Sequence, residues 1–104
     1  MKGLYYILDE NNNVIPCDDV LVWGEWFSNF NRRQVANTKV IEGVKVSTVF
    51  IGINHSWRYG QLHIFESMIF GGISDGYTER YSTWEEAEKG HHQIVAKILL
   101  DQNL

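Results

Sequence analysis

The side chains with the types and spacing for chemistry are four histidines (His55, His63, His91 and His92), Glu66, and an aromatic-basic loop. In Phe65-Glu66-Ser67-Met68-Ile69-Phe70, strand alternation places Glu66 on the face of Met68 and Phe70. A carboxylate desolvated by such neighbours has a raised pKa and suits an acid or base. The plainer reading, favoured because unpaired acids are rarely buried, sets Glu66 near a sheet edge beside a cross-strand Lys or Arg. His91 falls on the apolar stripe of a C-terminal helix, where it could ligate a metal or carry a proton. The favoured alternative is a core histidine bonded to a strand carbonyl or to Glu66. His92 lies about one hundred degrees further round the helix. The pair therefore does not chelate, since helical ligands need a spacing of three or four residues.

His55 and His63 flank one loop, and with Glu66 could form a two-histidine, one-carboxylate site. That spacing is generic, so no metal site is assigned and no cofactor is expected. Ser47 and Thr48 lack the sharp turn that exposes a nucleophile. Gly71-Gly72 reads as a bulge or turn entry rather than an anion cradle. The stronger candidate is the loop over residues 54–60. His55, Trp57, Arg58 and Tyr59 join two aromatics to a guanidinium, the types that dominate binding hot spots. These four are the expected binding residues; the alternative is that Trp57 folds back as a lid on the core. Arg32 and Arg33 would either add positive charge for an anionic ligand or lie solvated at a helix C-terminus.

The elements that must position these residues follow from periodicity and punctuation. A short strand over residues 4–8 ends at Asn11-Asn12-Asn13, and Val14-Ile15-Pro16 returns as an edge, since Pro16 has no N–H to donate. Asp18 or Asp19 offers the cap of a helix running to about residue 30, with Val20, Trp23, Phe27 and Phe30 on its apolar face. Trp26 sits off that face. Strands are expected over 35–41 and 44–53, joined at Glu42-Gly43, then over 61–71 and 77–81, joined around Asp75-Gly76. Thr83 and Glu86 form a capping box for the last helix, whose stripe is Trp84, Ala87, His91, Ile94, Val95 and Ile98. The fold class is therefore α+β: two layers, an antiparallel meander of four or five strands with both helices on one face. The other sheet face is left to solvent or to a contact.

At 104 residues, 44% hydrophobic and 21% charged, the chain has the composition of one ordinary globular domain. A formal charge of −4 argues against a general phosphate-backbone binder. The single cysteine, Cys17, excludes an intrachain disulfide and a four-cysteine zinc module. No membrane span or leader is read at the N-terminus, and a cytoplasmic location is expected.

The pattern VSTVFIGINH, FESMIFGG and RYSTWEEAEKGH resembles a small group of bacteriophage and prophage proteins, from about residue 5 to residue 95. Its most specific part is Arg80-Tyr81-Ser82-Thr83-Trp84 with Glu86, Ala87, Gly90 and His91. The loop after His55 departs from the group, which is richer in glycine there. The group has no assigned activity, so the resemblance implies a context: an accessory protein of a virus or mobile element, working in the host cytoplasm by binding a host protein or a signalling ligand. Interference with host defence is the concrete form of that expectation. Two other readings stand beside it: a small enzyme using Glu66 with His55 or His91, and a homo-oligomeric structural component.

Overall fold

The computed structural model describes residues 4–54 and 62–102. Its elements run β1 (Tyr6–Leu8), β2 (Val14–Pro16), α1 (Val20–Phe27), α2 (Phe30–Arg33), β3 (Gln34–Ile41), β4 (Val44–Phe50), β5 (Phe65–Phe70), β6 (Thr78–Tyr81) and α3 (Trp84–Gln102). Strands β3-β4-β5-β6 form one antiparallel sheet in sequence order, and β1-β2 form a separate antiparallel ribbon. The class is α+β. No helix among the described residues is long and apolar enough to cross a membrane.

Two turns set the registers. The Asp9 carboxylate accepts from the backbone N–H of Asn11 (2.8 Å) and Asn13 (2.9 Å), which closes the β1-β2 turn. These bonds favour the charged form and hold its pKa below the ordinary value, the Asn13 backbone bond first. At the other end, the Gly43 carbonyl of the β3-β4 turn lies against Gly71, whose φ is +91°. A Cβ at Gly71 would overlap that carbonyl, so the close approach of the two hairpin ends requires glycine there.

Alternation along β4 and β5 divides the sheet into two faces. Val44, Val46, Thr48 and Phe50, with Phe65, Ser67 and Ile69, point to a buried side that α3 covers. Ala87 (0% exposed), His91 (1%) and Ile94 (7%) are the inward residues of α3. The helix starts where the capping box places it: Thr83 Oγ1 accepts from Glu86 N (3.1 Å), and Glu86 Oε1 accepts from Ser82 N and Thr83 N. Gly90, unfavourable in mid-helix, is explained by Tyr81, whose ring occupies the space of a Cβ at that position.

The first helix differs from its sequence reading. Asp19 caps it, its Oδ1 accepting from Leu21 N (2.9 Å), but it ends at Phe27. Ser28 Oγ donates to the Glu25 carbonyl (2.7 Å), and the chain restarts as the single turn α2. Val20 and Phe30 are about half exposed, at 50% and 47%. Trp26, expected off the apolar face, instead packs edge-on to Phe50 with centroids 5.6 Å apart. Thus α1 reaches the common core through Trp26 while its body lies on β1. Strand β4 is shorter than residues 44–53 because the chain turns at Gly52, whose carbonyl takes Tyr6 N and Trp23 Nε1.

Candidate functional site

The uncovered face of the sheet carries Asn37 and Lys39 from β3, Lys45, Ser47 and Val49 from β4, Glu66, Met68 and Phe70 from β5, and Thr78 and Arg80 from β6. The cross-strand pairs Lys45–Phe70, Ser47–Met68 and Val49–Glu66 run side by side across its centre. Phe30, from the α2 turn, borders a shallow depression floored by Val49, Met68 and Phe70. Phe70 is 44% exposed, and the Lys45 ammonium lies 5.3 Å from its ring centroid, within cation–π range.

Glu66 is on this face, half-buried, and its Oε2 accepts from Arg80 Nε at 3.1 Å. Register explains the contact, since Glu66 and Arg80 are direct cross-strand partners. Lys39 pairs with Glu42 at 3.3 Å, where both side chains are largely solvated. Among the described residues no carboxylate pairs with Lys45. The face therefore holds three cations against Glu66 and Glu42, in a chain with formal charge −4. Its net charge is thus a single positive one, at Lys45, beside an apolar centre.

His91 lies on the opposite side. Its Nε2 is 2.8 Å from Thr38 Oγ1 and its Nδ1 is 2.7 Å from Thr48 Oγ1, and Thr48 continues the chain of hydroxyls to Ser67 Oγ. Three adjacent strands thus each supply one inward hydroxyl beneath the helix. Burial lowers the His91 pKa from 6.5, with the nearby His92 acting the same way. The imidazole is neutral, one nitrogen donating to a threonine while the other accepts. Tyr81 is buried beside this network, its hydroxyl lying near Ser67 without completing a hydrogen bond, and burial raises its pKa.

Glu66 and His91 are on opposite faces of the sheet, so the structure does not bring them together. His91 is a core histidine as favoured, but its partners are hydroxyls rather than a carbonyl or Glu66. The signal was legible: Thr38, Thr48 and Ser67 occupy inward alternation positions otherwise held by Val46, Phe50, Phe65 and Ile69. His92 is exposed on the outer side of α3.

Arg32 and Arg33 are neither solvated helix-end residues nor free anion-binding cations. Arg32 Nη2 donates to the Asp9 carbonyl (3.0 Å) and Nη1 to Asn12 Oδ1 (3.3 Å), which ties α2 to the ribbon turn. Arg33 Nε donates to the Phe27 carbonyl (2.9 Å) and Nη1 to the Phe50 carbonyl (3.3 Å), with its guanidinium 3.8 Å from the Phe27 ring centroid. Burial lowers the Arg33 pKa, but an arginine stays charged.

No protein-family model, curated protein or solved structure matches this chain. The expected binding residues His55, Trp57, Arg58 and Tyr59 lie outside the described residues, as does the histidine needed for a site of His55, His63 and Glu66. Among the described residues no cluster of three His, Cys, Asp or Glu side chains could hold a metal.

Proposed function

We propose that this chain is a small binding protein, of the phage-accessory kind its motifs resemble, and that it engages a host protein through the uncovered sheet face. The observation that carries the reading is the apolar strip of Val49, Met68 and Phe70 set among Lys39, Lys45 and Arg80 on a face that α3 leaves open. An aromatic and aliphatic centre gives contact area, and a cationic surround selects the partner's charge. The partner is accordingly a protein surface with an apolar side chain inside an acidic rim. A small anionic ligand would use the cations without the strip.

The residues at hand support binding better than catalysis. Glu66 is engaged by Arg80, and His91 has both ring nitrogens occupied. An acid–base pair would have to use Glu66 with His55.

The experiment is paired capture. The chain carrying Lys45→Glu and Phe70→Ser is compared with the unaltered chain and with Glu88→Lys, a charge change on the exposed side of α3, in the cells that naturally contain the protein. Binding that survives in Glu88→Lys and is lost in the sheet-face variant supports the proposal. Binding equal in all three contradicts it, and a captured mass of twice the chain assigns the face to self-association. A Glu66→Gln chain that folds and binds but loses a turnover would favour the enzyme.

A further inference from the structure

Beneath α3, His91 is 1% exposed and meets Thr38 on β3 and Thr48 on β4, and Thr48 in turn meets Ser67 on β5. From β6 the titratable neighbour is the Tyr81 phenol, packed on Gly90, and on its own helix it is His92. Among the described residues no carboxylate pairs with His91. Both hydrogen-bond partners of the ring are neutral hydroxyls, and the ring it meets is another histidine.

The neutral ring suits these partners, one nitrogen donating and the other accepting. A protonated ring must donate from both nitrogens. Thr38 and Thr48 can each accept, and Thr48 can pass its own hydrogen to Ser67, so the hydrogen bonds can still be met. The positive charge cannot be offset there, because none of the hydroxyls carries a counter-charge and His92 repels it. A buried charge without a partner is costly, so protonation shifts the balance toward the open state, in which water solvates the imidazolium.

We propose that the docking of α3 on the sheet is proton-sensitive, with His91 the residue that senses the proton and undocking the response. The sign follows from the neutral state of the buried ring. Docking is at full strength above the ordinary histidine value of 6.5 and weakens as the pH falls below it, because the undocked helix takes up a proton more readily than the docked one. Undocking uncovers Val46 and Ile69, which pack with Ile94, and Phe65, which packs with Trp84. The device lies on the opposite sheet face from the proposed contact surface, so the two can fail separately.

The test is histidine-selective NMR of the intact chain between pH 8 and pH 5, with amide exchange along α3 corrected for its intrinsic pH dependence. The expected result is a His91 ring that titrates below the ordinary histidine value in the folded signal, while opening of α3 grows as the pH falls below 6.5. A His91 ring that titrates in place at an ordinary value, with α3 protection unchanged, overturns the proposal. In parallel, His91→Gln, which bonds without taking a proton, is expected to lose this slope, and His92→Gln to keep it. A slope that persists in folded His91→Gln also overturns it; should that variant not fold, the NMR titration of the unaltered chain decides.

Discussion

Thr48 shows how much one buried hydroxyl can organise. It touches His91 on the helix and Ser67 on the next strand, so replacing it with valine keeps the shape but leaves two polar groups without their partner. A buried donor or acceptor stranded in this way costs about 1–3 kcal/mol. Thr48→Val is expected to lower the unfolding free energy by at least that amount in urea titration with an unchanged m-value. Ser47→Ala, next in sequence but on the open face, is expected to change it by less than about 0.5 kcal/mol. Gly90 argues the converse case. An added methyl would meet the Tyr81 ring, so Gly90→Ala is expected to destabilise by about 1–3 kcal/mol despite the better helix propensity of alanine. An increase in stability for that variant would contradict the packing described for Tyr81.

Among the elements, the firmest signals in the sequence were local ones. Asp19, Thr83 and Glu86 cap where their side-chain chemistry places them, and Glu42-Gly43 turns the β3-β4 hairpin because Gly43 accepts φ of +79°. Removing the box with Glu86→Ala strands the N–H groups of Ser82 and Thr83 and is expected to cost about 0.5–2 kcal/mol, read as a lower melting temperature. What could not be read was set by tertiary contacts. Helical spacing made Val20 and Phe30 appear inward and Trp26 outward, but Ser28 ends the helix early and the Phe50 ring draws Trp26 into the core. The arginines followed the same rule. Nothing in Asn31-Arg32-Arg33 signals that two guanidinium groups will reach the carbonyls of Asp9, Phe27 and Phe50. Arg33→Lys keeps the charge but cannot span both the Phe27 and Phe50 carbonyls, so it is expected to loosen α2 and raise amide exchange there.

For the molecule as a whole, the two sheet faces differ in character. One is closed by α3 around hydroxyls and an imidazole, and the other is left open by α3, with Lys45 beside an apolar centre. The strand period that groups Glu66 with Met68 and Phe70 was visible in the sequence, and so was its favoured pairing with a cross-strand Lys or Arg, which is Arg80. The charge at Lys45 was not visible, because an acidic total conceals a face on which Lys39 and Arg80 are paired and Lys45 has no carboxylate partner among the described residues. The measurement that bears most directly on the proposed contact face is native mass spectrometry of the chain recovered from the cells that naturally contain it, beside Lys45→Glu/Phe70→Ser and Glu88→Lys. The account predicts a host-protein adduct on the unaltered chain and on Glu88→Lys that disappears from the sheet-face variant. An adduct that persists undiminished on the sheet-face variant, or a bare chain in all three samples, would contradict it.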